Sequence, residues 1–120
     1  MKILIVDDSP IFLEVTQKWL KGEHETDIAH DGFEALSMMQ DKKYDCAIID
    51  LFMPEMSGIK LYSYIRKKYD IPILIMSNQI AADDLESLRH IEFRSLKPNT
   101  KKEFIDLLNK ALHNDTKTRS

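Results

Sequence analysis

The 120-residue chain has a single cysteine, Cys46. It cannot form an internal disulfide. Lying in an apolar run, it reads as a buried thiol packed like a small hydrophobe, in a chain suited to a reducing compartment. An excess of positive charge is missing too. Seventeen basic against 20 acidic residues leave a net charge of -3, whereas a nucleic-acid-binding module is usually basic. Long apolar stretches are absent. The opening run, residues 3–6, stops at two aspartates and is too short for a secretory leader or a membrane span, so a cytoplasmic location with no membrane partner is expected. Neither an internal repeat nor an interior linker is found. The length suits one domain, expected to cover residues 1–113, with a polar, disordered tail over 114–120 and no output domain.

What is present is alternation. The hydrophobic fraction, 43%, is ordinary for a protein with a real core. Three short aliphatic runs, residues 3–6, 47–49 and 73–76, are continuously apolar, the pattern of strands buried on both faces of a parallel sheet. Residues 26–29 and 93–96 are more polar and suit edge strands. Helical patterns lie between. Ser9 caps the first, with Pro10 at its first position; Ile11, Phe12, Val15, Trp19 and Leu20 share a face, and Gly22 ends it. Asp31 and Glu34 supply a capping box ahead of Phe33, Leu36 and Met39. Ser57 and Gly58 open a third helix with Leu61, Tyr62 and Ile65 inward, and Pro72 marks its exit. A short fourth helix, 82–89, turns Leu85 and Leu88 to the core. Thr100 and Glu103 make another capping box before Phe104, Ile105, Leu108, Ala111 and Leu112. Five β-α units with right-handed crossovers give a doubly wound α/β sheet. Strongly apolar strands in the middle and polar ones at the edges fit the order 2-1-3-4-5, a flavodoxin-like arrangement.

Ligand sites of such sheets lie beyond the carboxyl ends of the strands. Asp7 and Asp8 follow the first strand, Asp50 ends the third, Ser77 follows the fourth, and Lys97 follows the fifth. Taken singly, each has an ordinary use: an aspartate there commonly closes a turn, and a serine commonly caps a helix. Together they put three carboxylates, a hydroxyl and an ammonium on one rim. Two like charges about 4 Å apart repel by roughly 4 kcal/mol at an effective dielectric of 20, so the carboxylates call for a cation. Lys97 supplies one charge; hard oxygen donors suit Mg²⁺ for the rest. Neither histidine nor cysteine stands at these strand ends, which argues against zinc.

The pattern Asp7-Asp8-Ser9, then Asp50-Leu51-Phe52-Met53-Pro54-Glu55-Met56-Ser57-Gly58, then Ser77, then Lys97-Pro98 resembles the receiver domains of two-component response regulators, over residues 1 to about 113. The stretch from Asp50 to Gly58 is its most specific part. The resemblance implies that Asp50 is the phosphoacceptor. It implies Mg²⁺ held by Asp8 directly, by Asp7 through water, by Asp50, and by the backbone carbonyl of Phe52. Ser77 and Lys97 would hold phosphoryl oxygens, and the Lys97–Pro98 bond would be cis. The donor would be a phosphohistidine on a sensor histidine kinase or a phosphotransfer protein. Output to a downstream protein target would pass through the face made by the fourth helix, fifth strand and fifth helix. Phe52 and Gln79 would govern water access to the phosphoryl group.

Such a transfer needs an oxygen nucleophile and neutralised equatorial oxygens. A carboxylate is already ionised and requires no base. The chain departs from the family where the signal is read. Asn78 follows the switch hydroxyl in place of a small residue, the span from Ser77 to Lys97 is short, and the switch aromatic is replaced by Arg94, with Phe93 facing the other way. The rival readings are a receiver fold acting as a phosphorylation-independent interaction module, and a flavin-type cofactor binder. The second would want a glycine- and hydroxyl-rich loop where Asp7 and Asp8 stand.

Overall fold

The computed structural model describes residues 1–119, the side chains of residue 83 and of residues 114–119 excepted. Five strands alternate with five helices: β1 (Lys2–Val6), α1 (Pro10–Leu20), β2 (Glu25–Ala29), α2 (Gly32–Asp41), β3 (Cys46–Asp50), α3 (Gly58–Lys68), β4 (Ile73–Ser77), α4 (Ala82–Leu88), β5 (Phe93–Leu96) and α5 (Lys101–Arg119). The sheet has the order β2-β1-β3-β4-β5, and every pair is parallel. This is the flavodoxin-like receiver fold expected from the sequence.

The apolar runs occupy the middle because both faces of those strands are covered. β3 and β4 are buried throughout, whereas β5 alternates half-buried and exposed residues, as an edge strand should. Side chains alternate across the sheet. Ile3, Ile5, Cys46, Ile48, Leu74 and Met76 meet Leu13 and Leu20 of α1 and Phe104, Leu108 and Ala111 of α5. Leu4, Val6, Ala47, Ile49, Ile73 and Ile75 meet Ala35, Met39, Leu61, Ile65 and Leu88 on the opposite face. Trp19 and Phe104, with ring centroids 5.5 Å apart, tie α1 to α5.

The expected caps form. Ser9 Oγ accepts from Phe12 N–H, Asp31 Oδ1 from Glu34 N–H, Ser57 Oγ from Lys60 N–H and Thr100 Oγ1 from Glu103 N–H. The return bonds of Glu34 and Glu103 reach one residue further back than a capping box requires, to the N–H groups of His30 and Asn99.

Several expectations need correction. Ile11 and Phe33 are exposed: each is the second residue of its helix and lies beside, not on, the buried stripe that runs through Leu13, Thr16 and Leu20 in α1 and Gly32, Ala35 and Met39 in α2. Of the expected α1 stripe, Leu20 is buried and Phe12 and Trp19 pack against the core, while Leu13 and Thr16, not expected there, are its other buried residues. In α4, which ends at Leu88, Leu88 alone among the described side chains reaches the core, and Leu85 lies outside. The helical backbone of α5 continues to Arg119, past the expected boundary at residue 113. No cis peptide occurs among the described residues, so Lys97–Pro98 is trans. Trans is the lower-energy isomer by about 0.5–1 kcal/mol, and Lys97 N–H is held by Ser77 O at 2.7 Å in this arrangement.

Candidate functional site

The rim residues converge as their strand ends require. Neighbouring β1, β3, β4 and β5 bring Asp7, Asp50, Ser77 and Lys97 side by side. Asp7 and Ser77 are 1% exposed and Asp50 7%, while Asp8 stands outside in solvent. Lys97 Nζ lies 2.8 Å from Asp7 Oδ2 and 3.7 Å from Asp50 Oδ1, with 10% of its side chain exposed. A cavity of about 470 Å³ opens over them, lined by Asp8, Asp50, Phe52, Ser77, Gln79 and Lys97 among others.

The loop from Asp50 to α3 is shaped to keep the site open. Gly58 N–H donates to Leu51 O at 2.8 Å, and a Cβ at Gly58 would strike the carbonyl oxygen of Asp50. Only glycine lets the start of α3 approach the acceptor strand so closely. Glu55 takes up a left-handed conformation, φ +68°, which costs a non-glycine residue free energy. Buried Met56 anchors the far side of this loop in the core, while Phe52 stays half exposed at the cavity mouth.

Electrostatics in the cavity are under tension. Burial, and then the Asp7 carboxylate, lift the Asp50 carboxyl from an ordinary 3.8 to about 7; Lys97 pulls it down, and Asp8 adds to the rise. Carboxylate oxygens of Asp7, Asp8 and Asp50 all lie within 4.8 Å of one another. Asp7 Oδ1 accepts from Ser9 N–H at 2.8 Å, but the buried Oδ2 accepts no hydrogen bond despite the nearby ammonium. A buried carboxylate oxygen met only by the Lys97 ammonium, within an all-oxygen donor set carrying more negative than positive charge, fits a hard divalent cation such as Mg²⁺.

Ser77 is committed elsewhere in this state. Its hydroxyl donates to Gln79 O at 2.8 Å, and Gln79 N–H returns a bond of 3.3 Å. To meet a ligand in the cavity it must give up that turn.

Two participants and one set of contacts were not foreseen from the sequence. Phe12, assigned to the core stripe of α1, lays its ring 4.5 Å from Lys97 Nζ. Asp84 of α4 lines the cavity and accepts from Ala81 N–H. Arg94 reaches from β5 to the carbonyls of Leu88 and Ile91, each at 3.1 Å, and so closes the C-terminal end of α4. None of these follows from local pattern: Phe12 meets Lys97 from the far end of the chain, Asp84 sits on an unremarkable helix position, and the Arg94 contacts depend on how β5 turns back against the end of α4.

Residues 3–109 match the model of the response regulator receiver domain. The heme response regulator HssR of Staphylococcus saprophyticus is 37% identical over 84 residues, which are 69% of this chain and 38% of that protein. The two-component response regulator ARR11 of Arabidopsis thaliana is 35% identical over 80 residues, 64% of this chain and 15% of that one. The chain thus spans well under half the length of these curated relatives. Among solved structures, the response regulator TrrA of Thermotoga maritima, in complex with Mg²⁺ and BeF, is 30% identical with a TM-score of 0.80, covering 92% of this chain and 98% of that one.

Proposed function

The chain belongs to the response regulator receiver domain family, and on that premise we propose that it accepts a phosphoryl group on Asp50 in a Mg²⁺-dependent step. The observation that carries the reading is the placement of Lys97 Nζ beside both Asp7 and Asp50, at the floor of a cavity that Ser77 also lines. The donor is a phosphohistidine of a sensor histidine kinase or phosphotransfer protein, in the cytoplasm. No described helix is long and apolar enough to cross a membrane.

In this reading an Asp50 carboxylate oxygen attacks the phosphorus in line, the P–N bond breaks, and the imidazole leaves. Asp7, Asp8, Asp50 and the Phe52 carbonyl would hold the Mg²⁺, which when bound would offset both the clustered carboxylates and the charge on the phosphoryl oxygens. Lys97 contributes a fixed positive charge at the floor. Ser77 turns its hydroxyl away from Gln79 O toward the new oxygens, and the chain after β4 follows. The signal then reaches a downstream partner through α4, β5 and α5. Arg94 makes that last stage unlike the family's usual one. It holds the end of α4 by two hydrogen bonds, where the usual switch turns an aromatic ring inward.

The experiment is incubation with Mg²⁺ and a reactive small phosphodonor, followed by intact mass. The expected result is a gain of one phosphoryl group in the wild type and none in Asp50→Asn. Equal labelling of the two would refute the assignment. The arrangement of Arg94 also gives weight to a second reading, a phosphorylation-independent interaction module, and a wild type that takes up no phosphoryl group would favour it.

A further inference from the structure

We infer that Phe12 is a positioning residue for Lys97: its ring face holds the ammonium over the cavity by a cation–π contact and thereby sets the rate of phosphoryl transfer. The inference rests on the proposed role of Asp50.

The side chain of Lys97 is 10% exposed and meets three groups: Asp7 Oδ2 at 2.8 Å, Asp50 Oδ1 at 3.7 Å and the Phe12 ring centroid at 4.5 Å. A lysine stem is flexible, and its ammonium is a compact point charge. Left to the carboxylates alone, it would follow whichever oxygen is free. Those same oxygens are the ones a divalent cation would occupy. A ring face differs from them in two ways. It attracts a cation within about 6 Å of its centroid, and it offers no oxygen to a metal. When Asp7 and Asp50 turn toward a metal, the ring is the contact that stays, and it keeps the ammonium aimed where phosphoryl oxygens arrive.

The ring is itself held in place. Phe12 N–H donates to the capping Ser9 Oγ at 3.3 Å, and Phe12 O accepts from Thr16 Oγ1 at 2.8 Å. Pro10 fixes the turn in between. Ser9 N–H in turn donates to Asp7 Oδ1, so one short segment orients both the carboxylate and the ring that flank Lys97.

The test replaces Phe12 with mono-, di- and trifluorophenylalanine, which drain the ring face of negative charge at nearly constant volume, and adds Phe12→Leu and Phe12→Tyr. Two quantities are read. The first is the chemical shift of the Lys97 ε-methylene protons in the metal-free protein; the second is the rate of labelling by a small phosphodonor with Mg²⁺. Ring current should shift the ε protons upfield in the wild type and in Phe12→Tyr, and Phe12→Leu should abolish the shift. The labelling rate should fall stepwise along the fluorinated series by about 3- to 30-fold in all, with melting temperatures little changed, and Phe12→Tyr should stay near wild type. An absent upfield shift would overturn the inference. So would a flat rate along the fluorinated series in a wild type that is labelled at Asp50, which would leave the Asp50 reading intact. A wild type that takes up no phosphoryl group would refute the Asp50 reading first, and this inference with it.

Discussion

Replacing Asp50 by asparagine should make the metal-free protein more stable at neutral pH. The carboxyl is lifted from 3.8 to about 7 in the fold, chiefly by burial and by Asp7. Between about pH 4 and 7 the folded chain therefore keeps a proton that the unfolded chain has released. Stability is full below the unfolded value, falls as the pH rises through this window, and settles at its lower level above about 7. At about 1.4 kcal/mol per pKa unit, a rise of about three units is worth roughly 4 kcal/mol. Asparagine keeps the volume and carries no charge, but its amide must find partners, which takes back about 1–3 kcal/mol. A net gain of about 1–3 kcal/mol remains, or roughly 3–15 °C in melting temperature for a domain of this size. The assay is thermal unfolding in a chelator at several pH values from 4 to 8. The advantage of Asp50→Asn should be greatest at pH 7.5 and shrink toward pH 4. Added Mg²⁺ should then raise the wild type more than the variant, by mass action on the better site. A variant that melts at or below the wild type at pH 7.5, or an advantage that ignores pH, would refute the picture of a strained carboxylate cluster.

Other outcomes follow from the loops around the site. Phe52→Asn should speed hydrolysis of the aspartyl phosphate, because it replaces the ring at the cavity mouth with a group that admits water; following the loss of the added mass with time checks this. Glu55→Gly should raise stability by about 1 kcal/mol, the left-handed backbone at φ +68° being easier for glycine, and a denaturant melt with an unchanged slope reads it out. Arg94→Ala removes both bonds to the end of α4, so amide exchange over residues 85–91 should quicken by up to about 30-fold, at about 1 kcal/mol per lost bond. In the wild type, beryllofluoride should alter exchange over residues 78–89 more than around Arg94.

The sheet was legible because burial on two faces leaves a strong mark. The runs through Ile3, Ile48 and Ile75 are apolar throughout, and the edges show themselves by their polarity. The rim was legible for a related reason. Fold topology turns strand ends into neighbours, so Asp7, Asp50, Ser77 and Lys97 could be placed together although they are far apart in the chain. What failed was the fine assignment of helix faces. Ile11, Phe33 and Leu85 are apolar, yet all three are exposed, because an apolar side chain in a helix marks the buried stripe only to within one position. Thr16 shows the converse: its hydroxyl bonds to the Phe12 and Leu13 carbonyls, so a polar residue fills a core position. The contact of Phe12 with Lys97 arises from the meeting of distant segments and has no signature in either one, and that of Arg94 with Leu88 depends on how β5 turns back against the end of α4.

Cys46 stands at the start of the central strand, wholly enclosed beneath α1 and α5, and it is the chain's only thiol. That position gives the molecule a built-in clock. A thiol-reactive dye can mark it only when the protein opens far enough to breach that layer, so the labelling rate counts openings of the core while the rim of the site is free to move unseen. The same vial can then be asked how often the protein opens with and without a ligand at the rim, and no foreign probe has to be engineered into a domain whose surfaces are its means of communication.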